Sequence, residues 1–111
     1  MNGDGGFEVA VDDDGPTTVI TVAGELDLAT SPTLQRACTA ATERKPETLR
    51  IDMTGVTFLD STGMSVLVQT HKQLDAQGGA LVLYGLRDHT RRVLDVAGLA
   101  EFFRVADESP S

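Results

Sequence analysis

Between Leu49 and Tyr84 the apolar pattern changes period twice, and that change restricts the fold more than any other feature of the chain. Leu49, Ile51 and Met53 alternate with polar neighbours, as the residues of a half-buried strand do. Met64, Leu67, Val68, His71 and Leu74 then recur at the spacing of one helical face, up to Gly78-Gly79, where a helix ends. Ala80 to Tyr84 is again a compact apolar strand. Strand, helix and strand in succession predict a crossover that brings the second strand back parallel to the first.

The residues in front predict a different connection. Phe7, Val9 and Val11 alternate, Val19 to Ala23 form a second run rich in β-branched residues, and Asp12-Asp13-Asp14-Gly15-Pro16 between them is turn chemistry, so the chain begins with a hairpin. After Gly24-Glu25-Leu26-Asp27, Ser31 is placed to cap a helix with Pro32 at its first position. Leu34, Ala37, Cys38 and Ala41 share a face of that helix, and Arg44 and Lys45 end it before Pro46. Thr54 to Leu59 carries the chain from the third strand to Asp60. Asp88 is placed to cap a third helix bearing Val93, Leu94 and Ala97, and Phe102, Phe103 and Val105 suggest a short last strand before a loose tail, Asp107 to Ser111. The expected class is α/β: a mixed sheet of about four to five strands, an N-terminal hairpin followed by parallel β-α-β units, packed against about three to four helices. One domain spans 1–111, with its core from about Phe7 to about Val105.

A chain of 111 residues with 41% hydrophobic residues buries about two thirds of its unfolded surface, sufficient for one core without metals or disulfides. No window approaches the roughly 18 consecutive apolar residues of a membrane span, and Met1 to Gly6 lacks the basic and apolar regions of a signal peptide, so a cytoplasmic protein is expected. The single cysteine, Cys38, excludes an internal disulfide and thiolate cages, and on its helical face it reads as a core thiol. A net charge of −8 argues against nucleic acid. Seven of the 17 acids stand before Arg36, the first base, so the excess negative charge gathers at the N-terminal end. Arg87, Arg91 and Arg92 form the one basic cluster, read as an offset to that acidity or as an anion site.

An enzyme needs a constellation, and the common ones are missing. There is no Gly-x-Ser-x-Gly elbow, no phosphate loop ending in Lys-Ser/Thr and no pair of histidines at metal spacing. Gly3, Gly5 and Gly6 precede the first strand rather than following one, and His71 reads as a packing histidine. No metal, cofactor or catalytic residue is therefore expected. Asp27, Asp52 and Asp60 can converge at one edge of a parallel sheet, where carboxylates serve ligands but also serve as caps and turns. In Asp60-Ser61-Thr62-Gly63, where a connecting segment becomes a helix, Asp60 or Ser61 reads as an N-cap. A serine without a base is no nucleophile of its own, yet it can receive a phosphate from another protein's active site.

Gly24-Glu25-Leu26-Asp27, Ile51-Asp52-Met53, Phe58-Leu59-Asp60-Ser61-Thr62-Gly63-Met64 and Val93-Leu94-Asp95-Val96-Ala97-Gly98-Leu99, in that order, resemble a STAS domain of the bacterial anti-sigma factor antagonist type. The resemblance implies a non-enzymatic protein that binds an anti-sigma factor with serine/threonine kinase activity and frees a sigma factor for transcription. It implies that this kinase phosphorylates Ser61, with Thr62 the neighbouring alternative, that phosphorylation abolishes the complex, and that a serine phosphatase restores it. Asp27, Asp60, Ser61, Thr62, Gly63 and Met64 are the implied partner contacts, with no membrane partner. Met64 stands where the family more often has leucine, and Ser111 ends the sequence where relatives commonly continue into another helix. Two other readings stay open: a STAS module of another complex, such as a stress-signalling scaffold or a lipid-transport assembly, and a nucleotide-binding or nucleotide-hydrolysing protein resting on the strand-end carboxylates.

Overall fold

A computed structural model describes residues 6–99 and 102–106. Its elements are β1 (Glu8–Asp14), β2 (Thr17–Leu26), α1 (Ser31–Glu43), β3 (Thr48–Leu59), α2 (Ser61–Ala76), β4 (Ala80–Tyr84), α3 (Asp88–Val96) and β5 (Arg104–Ala106). The five strands form one sheet in the order β1-β2-β3-β4-β5. β1 runs antiparallel to β2 and every other pairing is parallel, so the predicted mixed architecture holds. The expected loose tail lies outside the described residues.

The hairpin is tighter than the run of aspartates suggests. Asp12, Asp13 and Asp14 pair with Val19, Thr18 and Thr17, leaving only Gly15 and Pro16 as the turn, with Gly15 at a φ of 66°. At a sheet border these carboxylates reach water while their backbone completes the ladder, and Arg44 meets Asp13 at 2.8 Å.

β3 also exceeds its prediction. The segment expected to be a connection, Thr54 to Leu59, is strand, paired to β2 from Ala23↔Gly55 to Leu26↔Leu59. Register shifts after Thr21 and Gly24 break the alternation: Met53, Val56 and Leu59 are buried three residues apart, which a period-two search does not see. β4 pairs only as far as Asp52.

Ser31 does not cap α1. The cap position is Thr30, one residue earlier and without a side-chain cap, and Asp27 accepts the Ala29 and Thr30 N–H groups in the loop before the helix. Ser31, Leu34, Cys38, Ala41 and Thr42 are its buried residues, with Ala37 half-buried. The buried stripe of α2 is rotated from the predicted one: Gly63, Val66, Leu67, Thr70 and Leu74 are buried, while Met64, Val68 and His71 flank them, half-buried. Thr70 hides from a hydropathy count because its hydroxyl donates to the Val66 carbonyl at 2.7 Å, freeing its methyl for the core. On α3 the cap position is Arg87 rather than Asp88, Thr90 and Leu94 are buried, and Ala97 is exposed. β4 leads into α3 through Gly85, at a φ of 73°, which faces Thr54 of β3.

Cys38 is a core thiol, 2% exposed. Loss of water pushes its pKa from 9.0 up to about 11, with the Thr70 hydroxyl offsetting part of the shift. The folded chain therefore keeps a proton that the unfolded chain gives up, so this contribution is complete below about pH 9 and is lost as pH rises toward about 11. Urea midpoints of the natural protein and Cys38→Ala should converge by about 1–3 kcal/mol across that window. Parallel pH dependences would show that the thiol is solvated.

Among the described residues no helix is long and apolar enough to cross a membrane, and no three His, Cys, Asp or Glu side chains gather to hold a metal.

Candidate functional site

β2 and β3 end abreast. Leu26 pairs with Leu59, and the Asp60 N–H donates to the Leu26 carbonyl at 3.2 Å, so Asp27 and Asp60 leave neighbouring parallel strands together. Asp52 does not join them. It sits within β3 between Thr21 and Tyr84, its side chain accepts the Thr54 N–H at 2.9 Å, and at strand rise it lies on the order of 20 Å from the Leu59 end.

Asp60 is the N-cap of α2. Its Oδ1 accepts the backbone N–H groups of Thr62 at 2.9 Å and Gly63 at 3.3 Å, and also the Thr62 hydroxyl. That hydroxyl, ahead of the Gly63, Thr62 and Leu28 backbone N–H groups, holds the Asp60 carboxyl below its ordinary range against the opposing effect of desolvation. Thr62 Oγ1 in turn lies 3.1 Å from Ser31 Oγ, joining α2 to α1. Ser61, the first residue of α2, is exposed, and its hydroxyl makes no hydrogen bond among the described residues.

Gly63 is buried where a Cβ would come within 2.7 Å of both Leu26 and Leu59, so a glycine here lets the first turn of α2 rest on the two strand ends. Met64 is half-buried against the core. Asp27 scaffolds the preceding loop: its Oδ1 accepts from Ala29 at 3.0 Å and Thr30 at 3.2 Å, while the Thr30 hydroxyl donates to the Glu25 carbonyl at 2.7 Å.

That loop presents Leu28, which sequence reasoning passed over because it belongs to no periodic stripe. Leu28 is 75% exposed. It heads a groove of about 280 Å³ between α1 and α2, lined also by Pro32, Gln35, Ser65, Val66 and Gln69. Phe58, near the end of β3 and 41% exposed, stacks on His89 with ring centres 6.2 Å apart. Arg87 donates through Nε to the Thr54 carbonyl at 2.7 Å. Leu28 directly follows Asp27, at the end of the sheet where Asp60 and Ser61 begin α2. His71 packs edge-on against Phe102 at 4.6 Å, as a packing histidine does.

The family model described as the STAS domain matches residues 8–110. An anti-sigma-B factor antagonist of Listeria monocytogenes is 37% identical over 86 residues, covering 78% of this chain and 75% of that protein. The crystal structure of an anti-sigma factor antagonist from Mycobacterium paratuberculosis superposes with a TM-score of 0.85 at 29% identity, over 97% of this chain and 92% of that one. The Bacillus cell fate determinant SpoIIAA in its phosphorylated form shares the fold, with a TM-score of 0.71 at 22% identity over 91% and 93% of the two chains. With a family model matching residues 8–110 and a relative 37% identical over 78% of this sequence, the chain belongs to the STAS domain family.

Proposed function

We propose that this chain is an anti-sigma factor antagonist: it binds an anti-sigma factor that is also a serine/threonine kinase, so freeing a sigma factor, and it is released when that kinase phosphorylates Ser61. The observation that carries the reading is the exposed hydroxyl of Ser61, unbonded among the described residues, at the entrance of a helix capped by Asp60. In the transfer, Ser61 Oγ bonds to the γ-phosphorus of ATP as the bond to the leaving ADP breaks, and the hydroxyl proton passes to a base of the kinase. The chain acts by binding rather than catalysis, in the cytoplasm, and a serine phosphatase returns it to the binding state.

The capping geometry explains why the acceptor can change state without the fold changing. Asp60, not Ser61, satisfies the first N–H groups of α2, so an ester on Ser61 removes no cap. It adds about −1.5 to −2 charges beside the Asp60 carboxylate, which penalises any partner surface that must close over it. The test is incubation with ATP and serine kinases of the same cell, followed by mapping of the modified residue. Phosphate on Ser61 is expected; modification elsewhere, or none, overturns the reading.

Leu28 gives an independent check. Leu28→Asp should lower affinity for the anti-sigma factor by about tenfold or more, the loss of an apolar anchor. Because the residue is 75% exposed, the melting temperature should barely move. Titration calorimetry decides; unchanged affinity would put the loop outside the footprint.

A further inference from the structure

We infer that Ser31 is a positioning residue for acceptor choice: it withholds the hydroxyl of Thr62 and leaves Ser61 as the one group at this helix entrance open to phosphoryl transfer. The inference rests on the reading of Ser61 as a phosphorylated residue and adds a residue on another helix to it.

Two hydroxyls of nearly equal chemistry stand side by side at positions 61 and 62, and their surroundings differ. Ser61 is exposed and its hydroxyl is unbonded among the described residues. Thr62 is half-buried, and its hydroxyl donates its proton to Asp60 Oδ1. With that proton spent, the 3.1 Å contact to Ser31 Oγ is one in which Ser31 donates and Thr62 Oγ1 accepts. Attack on phosphorus needs a free lone pair on the hydroxyl oxygen and a path for its proton to the kinase's base. On Thr62, Asp60 holds the proton and Ser31 one of the oxygen's two lone pairs, so this half-buried hydroxyl is tethered on both sides and must leave its partners to turn out toward a kinase's active site.

Ser31 is committed to that task. It is 5% exposed, and although it opens α1 its hydroxyl bonds across to α2 instead of capping its own helix. A serine at a helix start usually serves its own backbone. Here the start of α1 has no side-chain cap, Asp27 bonds the Ala29 and Thr30 N–H groups of the loop before it, and the Ser31 hydroxyl is turned to Thr62. The same link fixes the first turn of α2 against α1, and so fixes the direction in which Ser61 faces.

The test uses the full-length protein, ATP and the kinase that modifies Ser61 in the natural sequence, with the modified position read by fragmentation mass spectrometry. Ser61→Ala/Thr62→Ser makes position 62 a serine, so a preference of the kinase against threonine plays no part. With Ser31 present this variant should take no phosphate at position 62. Adding Ser31→Ala should raise phosphorylation there tenfold or more, and Ser31→Thr, which keeps the hydroxyl, should not. General loosening of the fold is distinguished by position, since it would also expose Thr42 and Thr70, which are buried in the folded chain. No gain on Ser31→Ala, equal gain with Ser31→Thr, or gain spread over several positions overturns the inference. Failure of the natural protein to be modified on Ser61 instead overturns the functional reading beneath it.

Discussion

Phosphorylation of Ser61 should weaken the complex with the anti-sigma factor by about 10⁴-fold, because driving a complex from nearly all bound to nearly all free takes about 5.5 kcal/mol. An exposed charge pair supplies only about 0–1 kcal/mol, which is screened further by salt. The acceptor must therefore lie inside the footprint, where the ester is stripped of water and set against the Asp60 carboxylate, half-buried and held in its charged form by the Thr62 hydroxyl and neighbouring N–H groups. Ser61→Ala should bind within a few-fold of the natural protein and accept no phosphate. Calorimetric titration of the phosphorylated, unmodified and alanine forms checks all three expectations. A loss below about tenfold, or one that vanishes at 1 M salt where the screening length is about 3 Å, would move Ser61 to the rim.

The largest change in stability should come from Gly85→Ala. Gly85 holds a φ of 73°, which costs a residue with a Cβ about 1–2 kcal/mol. The new carbon would also stand 2.1 Å from Thr54 Oγ1 and 3.1 Å from the Thr54 backbone nitrogen, and overpacking of this kind costs about 1–3 kcal/mol more. Gly15→Ala separates the two effects, since Gly15 has a φ of 66° and nothing within 4 Å of the added carbon. Urea midpoints should place Gly15→Ala about 1–2 kcal/mol and Gly85→Ala about 2–5 kcal/mol below the natural protein. Equal losses would mean that Thr54 moves aside freely. Gly85 leads to Arg87, whose Nε holds the Thr54 carbonyl, so the strained variant should also disturb the approach to α3 beside Phe58 and His89.

Where one residue decides its own local structure, the sequence was legible. A turn ending in Gly15-Pro16, Pro32 in the first turn of α1 and a cap at Asp60 or Ser61 all act within a few residues of themselves, although the turn is Gly15-Pro16 alone and the cap is Asp60. The features that escaped depend on partners far along the chain. Thr54 to Leu59 is a strand because β2 extends beside it, and the bulges hide its buried residues from a period-two pattern. Ser31 has the composition of a cap, and only the arrival of Thr62 from 31 residues away gives its hydroxyl another use. Asp27 and Asp60 converge because two parallel strands end level, whereas Asp52 lies on the same strand but too early. Leu28 is apolar without periodicity, a type of residue that patterning discards and exposure reveals.

The outer border of β1 has a bearing on how such a protein keeps its count. Three consecutive carboxylates, Asp12, Asp13 and Asp14, line the end of a strand that, among the described residues, is paired on one side only. Another molecule adding itself there would set like charges about 5 Å apart across the new ladder. Self-stacking at that border is discouraged even when the cell holds many copies. Repulsion along this short anionic fringe thus opposes the addition of a second copy through β1.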